Sequence, residues 1–289
     1  MPTGFAVNID GEMFNDPSGA RIPVLDRGFL YGDSIYEVLR TYNGVLFAVK
    51  EHFERLDRSA SALALTIPLS REDMLSRIKD TMRAADNTES YVRIIVTRGA
   101  GEIGLDPGLA DKPRVILFAK KLTLPPSWKS GQGISVKITG IRRNYVGALN
   151  PAIKSGNYLN NILAMAEARA AGEDDAIMLD FKGRVTEGTT SNVFAAIDSK
   201  LCTPPLDVGI LEGVTRKLLV KLSRDHGIEV DERHISAEDL KRADEIFFAS
   251  TLKEVLPIVS LDGKTVGSGK PGPVTLQLTE WFEELKGKV

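Results

Sequence analysis

The chain has 289 residues, with 37 Lys and Arg against 39 Asp and Glu and a net charge of −2. That length can bury a large core and divide into two domains, and the balanced charge lacks the basic surplus that nucleic-acid binding would show. The single cysteine, Cys202, rules out an internal disulfide framework and a cysteine-based zinc site, and no run approaches the ~18 apolar residues of a membrane span.

His52, His226 and His234 are scattered without metal-ligand spacing, so no metal is expected; His52 and His226 read as polar helix positions. Asp10 and Glu12 close behind a short apolar segment do not read as a signal peptide, and a cytoplasmic location is expected.

In chain order, Thr41 to Phe47 carries a hairpin signal, because Asn43-Gly44 suits a type I′ turn. A helix is predicted from about Glu51 to Leu65, with Phe53, Leu56, Ala60 and Leu63 on its inner stripe. Ser70-Arg71-Glu72-Asp73 has the pattern of a capping box opening a second helix. Tyr91–Arg98 and Arg114–Ala119 read as strands rich in β-branched residues. The segment 122–133, with Pro125-Pro126, is predicted to be a linker between an N-terminal domain (1–121) and a larger C-terminal domain (134–289).

Beyond it, strands are predicted at Ile134–Thr139, Ala176–Leu179, Asn192–Ala196 and Ile228–Arg233. One helix should start at about Gly213 and stop at Gly227, and another should cover Gly272 to Lys286. A further helix follows Asn157, with Leu159, Ile162, Leu163 and Ala166 forming a buried face. Helices and strands interleave, giving an α/β or α+β fold in two domains.

Lys154 stands at the entrance to that helix, behind Asn150-Pro151. A lysine there either snorkels to water or is desolvated for chemistry, since desolvation favours the neutral amine that attacks carbonyls to form Schiff bases. Gly99-Ala100-Gly101-Glu102-Ile103-Gly104 fits G-x-G-x-x-G, but turn chemistry follows it where a dinucleotide site needs a helix. Tyr91 and Arg93 share one face of their strand, with Ile95 and Thr97 beyond, while Val92, Ile94 and Val96 line the other. Arg93 is then either an edge-strand arginine facing water or a carboxylate binder assisted by Tyr91. Arg55 lies off the apolar stripe of its helix and reads as solvent-facing. Glu187 reads as a lone acid in a loop between strands. Gly213-Val214-Thr215-Arg216 opens a helix whose amides hold either phosphate or only water and their own caps.

Taken together, Leu25-Asp26-Arg27-Gly28-Phe29-Leu30-Tyr31-Gly32-Asp33, Ile153-Lys154-Ser155-Gly156-Asn157-Tyr158, Glu187-Gly188 and Leu211-Glu212-Gly213-Val214-Thr215-Arg216 occur in one order. In these the sequence resembles the class IV (fold-type IV) pyridoxal-phosphate aminotransferases, most closely the branched-chain amino-acid enzymes. The resemblance implies a small α/β domain and a larger pseudo-barrel domain. It implies pyridoxal 5′-phosphate carried on Lys154, which also shuttles the substrate proton. Glu187 would face the pyridine nitrogen and Tyr158 the ring's 3′ oxygen, with Leu211 against the ring. Arg55, the Val214 and Thr215 amides and the hydroxyls of Thr215 and Thr251 would hold the phosphate.

For substrates it implies amino acids and 2-oxo acids, bound by Tyr91 and Arg93 and enclosed by Tyr31, Tyr36, Val38, Leu105 and Leu252. Tyr31 and the Leu105 loop would reach a neighbouring subunit, so a homodimer or higher homo-oligomer is implied. Branched-chain enzymes usually show Phe and Gly where this chain has Tyr36 and Val38; D-amino-acid enzymes show Tyr and Val, but their Arg-x-His carboxylate trap is missing from 103–107. The expected reaction is ping-pong transfer of the amino group of a hydrophobic L-amino acid to 2-oxoglutarate. The alternatives are a D-amino-acid or (R)-amine aminotransferase, a lyase of the aminodeoxychorismate type, and a non-catalytic cofactor carrier.

Overall fold

The structure is a computed structural model that describes residues 4–125, 128 and 131–288. Pro126, Ser127, Lys129 and Ser130 of the expected linker lie outside the described residues. The chain forms two compact units. Among the described residues, one comprises those up to Thr123 with Ile153–Asn157, and the other those from Leu124 to Ala152 with Tyr158–Lys288. The short excursion of Ile153–Asn157 into the first unit carries Lys154.

The first unit contains β1 (Phe5–Ile9), β2 (Glu12–Phe14), α1 (Arg27–Tyr31), β3 (Ser34–Tyr42), β4 (Val45–Leu46), α2 (Val49–Ala62), α3 (Arg71–Ala85), β5 (Ser90–Thr97) and β6 (Arg114–Lys121). Its six strands form one sheet in the order β2-β1-β6-β5-β3-β4, with every neighbouring pair antiparallel. Alternation does the sorting: Leu39, Val92, Ile94 and Leu117 point to one side, where Phe53, Leu56, Met74 and Ile78 of α2 and α3 cover them. Asn43 and Gly44 both take positive φ, at 52° and 76°, as the tight β3–β4 hairpin requires. Ser70 caps α3 by accepting from the Asp73 amide at 3.0 Å. Helix α2 starts and ends slightly earlier than the sequence suggests.

The second unit contains β7 (Ile134–Arg142), α4 (Leu159–Ala170), β8 (Asp175–Leu179), β9 (Val185–Gly188), β10 (Asn192–Ile197), β11 (Lys200–Thr203), α5 (Val214–Asp225), β12 (Val230–Glu232), α6 (Ala237–Lys241), β13 (Glu245–Ser250), β14 (Glu254–Leu261), β15 (Lys264–Thr265) and α7 (Pro273–Lys286). Its nine strands run β12-β11-β10-β13-β14-β7-β8-β9, with β15 on β14. β9 pairs back to β10 through Glu187 and Asn192. That bridge closes a ring of β10, β13, β14, β7, β8 and β9, the barrel-like arrangement expected of the larger domain. Ile134, Val136, Ile177, Val193, Phe248 and Leu256 belong to the core of this unit. Strands such as β8 and β10 are buried along their whole length, which is why they read as continuous apolar runs.

Three expectations fail, and one open alternative is decided. Leu159, Ile162, Leu163 and Ala166 do not form the buried face of α4: the three large side chains are exposed, and Asn161, Ala164 and Ala168 are buried instead. Ala164 and Ala168 also stand one helical turn apart, and their small side chains pack closely on Ala176 and Met178 of β8. Glu187 lies inside β9, not in a loop; pairing of Val185 and Gly188 with β8 overrides the low strand preference of Glu and Gly. Arg55, read as solvent-facing, is buried at 5% exposure, while His52 lies on α2 as expected and is buried beside it at 1%. Arg93 is not on an edge strand, because β5 is flanked by β3 and β6.

The G-x-G-x-x-G segment also resolves against a dinucleotide site. It leads into a three-residue turn of 3₁₀ helix, Pro107–Leu109, whose Gly108 amide is taken by the Asp106 side chain. Its glycines serve close approach: a Cβ on Gly101 would meet the Leu109 carbonyl oxygen at 2.1 Å.

Candidate active site

Lys154 reaches its position by strand pairing. The Ser34–Tyr36 end of β3 accepts the segment 153–156 as an added strand: the Tyr36 amide donates to the Lys154 carbonyl at 2.9 Å, and the Gly156 amide to the Ser34 carbonyl at 2.9 Å. The Lys154 amide donates to the Ser59 hydroxyl of α2 at 3.1 Å. Thus fixed, the half-buried side chain lies on the face of β3 that carries Tyr36. Its Nζ donates to the Tyr36 hydroxyl at 3.3 Å and lies 4.4 Å from the centre of the Tyr36 ring.

That face collects most of the candidate substrate residues. Val38 stands directly opposite Arg93 in the β3–β5 register, so Tyr36, Val38, Tyr91 and Arg93 share one side. The Arg93 guanidinium lies 4.1 Å from the Tyr36 ring centre, a cation–π geometry, and donates to the Tyr91 hydroxyl at 3.5 Å. Its Nε is buried without a hydrogen-bond partner. A buried donor left unpaired is costly, and an arriving carboxylate would relieve it.

The opposite side of β3 holds a buried charge cluster. Glu37 accepts from Arg55 through Nε at 2.7 Å and a terminal nitrogen at 2.8 Å, and lies 2.8 Å from His52 Nδ1. Burial would raise the Glu37 carboxyl, but Arg55 and His52 overcome it and hold the group far below the usual carboxylate range. Burial lowers the His52 imidazole, opposed by Glu37 and reinforced by the charges of Arg55 and Lys154. Arg55 is thereby oriented by Glu37.

Tyr31 and the Leu105 loop are joined within the same unit. The Gly104 amide donates to the Tyr31 hydroxyl at 3.2 Å, while Arg27 reaches the Gly104 carbonyl at 2.8 Å. Leu105 itself is 82% exposed.

In the second unit, Glu187 is buried with an oriented carboxylate. One oxygen accepts from Arg143 Nε at 2.8 Å and the other from the Leu211 amide at 3.0 Å. Arg143 is steadied by Asn160 at 2.9 Å, and Asn192 donates to the Leu211 carbonyl at 2.8 Å. Just beyond Leu211, α5 begins at Gly213, which offers no side-chain cap to the first amides; Val214 and Thr215 are buried. An uncapped helix start suits a phosphate, and a buried, oriented carboxylate suits a protonated ring nitrogen. This donor set fits a phosphorylated pyridine. Tyr158 stands at the start of α4, and Thr251 and Leu252 belong to the turn between β13 and β14.

Arg143 also lines a cavity of about 470 Å³ with Tyr145, Phe181 and Arg184, but none of the residues picked out from the sequence lines it. Sequence reasoning missed Glu37, His52 and Arg143 as partners of the candidate residues. The Glu37–Arg55 pair could have been sought in the alternation of β3, where an acid falls on the core face.

The fold is that of a two-unit α/β protein, with the Lys154 amine on one unit and the Glu187 carboxylate on the other. The Amino-transferase class IV family model matches residues 34–261, and the chain belongs to the class IV aminotransferases. It is 41% identical to the "Putative branched-chain-amino-acid aminotransferase" of Methanocaldococcus jannaschii over 95% of this chain and 94% of that one. It is 38% identical to the D-alanine aminotransferase of Staphylococcus haemolyticus over 96% of each. Among solved structures, the branched-chain amino acid aminotransferase of Escherichia coli aligns with a TM-score of 0.92 at 32% identity, covering 97% of this chain and 94% of that one. The branched-chain aminotransferase of the archaeon Thermoproteus uzoniensis, solved with norvaline, aligns with a TM-score of 0.90 at 32% identity, over 98% and 95%.

Proposed function

We propose that this aminotransferase uses pyridoxal 5′-phosphate to move the amino group of a branched-chain or similar hydrophobic L-amino acid to 2-oxoglutarate, in a ping-pong cycle. The observation that carries the reading is Arg93: a half-buried arginine whose buried Nε has no hydrogen-bond partner, beside the Tyr91 hydroxyl and stacked on the ring that receives the Lys154 amine. The branched-chain names of the Methanocaldococcus relative and the E. coli structure support the same substrate class.

The bound cofactor supplies the electron sink that makes the amino-acid Cα–H acidic. Lys154 would hold the cofactor through Nζ and, once displaced, move the proton at Cα; the Tyr36 hydroxyl orients that nitrogen. Glu187, kept in place by Arg143 and the Leu211 amide, would retain the proton on the ring nitrogen, and Tyr158 would donate to the ring oxygen. Leu211 would pack on the ring. Arg55, the amides of Val214 and Thr215, and the hydroxyls of Thr215 and Thr251 would bind the phosphate. Arg93 and Tyr91 would bind carboxylate, while Tyr36, Val38, Leu105, Leu252 and Tyr31 shape the side-chain pocket.

A second reading, a D-amino-acid aminotransferase, is favoured by the Tyr36 and Val38 pair and by relatives named D-alanine aminotransferase. Half-reaction spectra decide between them. Conversion of the cofactor band by L-leucine and L-glutamate supports the L-specific reading, whereas conversion by D-alanine alone overturns it. We also propose a homodimer, supported by the exposed apolar residues Ile103 and Leu105 on one unit and Leu159, Ile162 and Leu163 on the other.

A further inference from the structure

Lys253 is a lysine where a charge has to be explained. It is 6% exposed, and its Nζ donates to Asp175 at 2.5 Å, Ser191 at 2.7 Å and Thr190 at 3.1 Å. An ammonium has three donors, so all of them are committed inside the protein and none is left for a ligand. The rings of Phe248 and Trp128 lie 4.9 and 5.3 Å away. Asp175 is equally engaged: its other oxygen accepts from the Thr189 hydroxyl at 2.6 Å and the Ala176 amide at 2.8 Å. Burial would raise the Asp175 carboxyl, but Lys253 and these donors hold it below its ordinary value.

The connectivity gives the pair its meaning. Thr189, Thr190 and Ser191 form the loop that leaves β9 directly after Glu187 and Gly188. Lys253 stands close behind Thr251, in the turn between β13 and β14. The buried Lys253–Asp175 pair, through its bonds to the Thr189, Thr190 and Ser191 hydroxyls, therefore ties the loop that follows Glu187 to the turn bearing Thr251 and to the start of β8. Asn161 of α4 also holds the loop, donating to the Thr189 carbonyl at 2.7 Å.

We propose that Lys253 and Asp175 are positioning residues that fix the separation between the acid meeting the cofactor's ring nitrogen and the hydroxyl meeting its phosphate. This rests on the cofactor reading above. A ligand grasped at two ends gains affinity only while its two subsites keep the right spacing. Loosening the tie should weaken the complete cofactor far more than a ligand that uses one end.

The test compares pyridoxal 5′-phosphate with pyridoxal, which lacks the phosphate, on full-length protein freed of cofactor. The variant Lys253→Met/Asp175→Asn removes both charges together, which avoids stranding one buried charge. We expect pyridoxal 5′-phosphate to bind about tenfold or more weakly, pyridoxal affinity to hold within about twofold, and the protein to remain folded. Equal losses for both ligands, or no loss for either, overturn the proposal. Should the double variant not fold, Thr190→Val removes one acceptor at an exposed position, and an unchanged ratio of the two affinities again overturns it. Failure of the unaltered protein to bind pyridoxal 5′-phosphate would overturn the cofactor reading itself, and is seen separately.

Discussion

The Lys154 amine rests on Tyr36: Nζ lies 3.3 Å from the hydroxyl, and the Arg93 guanidinium lies 4.1 Å from the centre of the same ring. Tyr36 thus links the amine proposed for chemistry to the cation proposed for carboxylate binding. Tyr36→Phe keeps the ring and removes the acceptor. A hydrogen bond of this kind contributes about 1 kcal/mol, so kcat should fall about fivefold while thermal stability holds. Steady-state kinetics with one donor and one acceptor checks this; an unchanged kcat would remove Tyr36 from the mechanism.

Arg93→Ala separates substrates. A charge-assisted hydrogen bond contributes about 1.5–3 kcal/mol, so kcat/KM for 2-oxoglutarate should drop roughly tenfold to a hundredfold. The branched-chain oxo acid, without a side-chain carboxylate, should lose less. Equal losses would make Arg93 a structural residue.

The Glu37 cluster sets an acid limit on stability. Glu37 has a depressed folded-state pKa, so its contribution is present above the unfolded carboxylate range and is lost as pH falls toward the folded value. His52 is also depressed from 6.5; the unfolded state takes up its proton first, so stability declines as pH falls below 6.5. A single such group gives a slope of at most about 1.4 kcal/mol per pH unit. Urea titrations between about pH 7 and 5 should show that decline, and His52→Gln should flatten it. Glu37→Gln removes the negative charge that balances the buried Arg55 and should cost about 3–5 kcal/mol.

Arg143 orients Glu187 by donating to its carboxylate at 2.8 Å. Arg143→Met should lower kcat about tenfold with little change in KM, because its effect is on the electron sink and not on substrate binding. A rise in KM at constant kcat would contradict that role.

Much of this was legible in the sequence where a single local rule dominates. The Asn43-Gly44 hairpin, the Ser70 cap, the α5 start at Gly213 and the alternating face of Tyr91 and Arg93 all follow from turn chemistry or period two. What escaped depends on partners distant in the chain. Helix α4 offers two compatible stripes, and only contact with β8 selects Ala164 and Ala168 over Leu159, Ile162 and Leu163. Glu187 looks like a turn acid until β8 and β10 are seen on either side of it. Lys253 carries no local signal, because Asp175 is 78 residues away in sequence. The family resemblance supplied the roles of Lys154 and Arg55 that spacing left open.

The central claim is that Lys154 carries the cofactor, and absorbance spectroscopy of Lys154→Ala tests it most directly. The unaltered protein with pyridoxal 5′-phosphate should show the visible band of a lysine-bound cofactor, and borohydride should fix the label on Lys154. In Lys154→Ala the band should be absent and transamination lost. Persistence of the band, or reductive labelling at another lysine, would contradict the account.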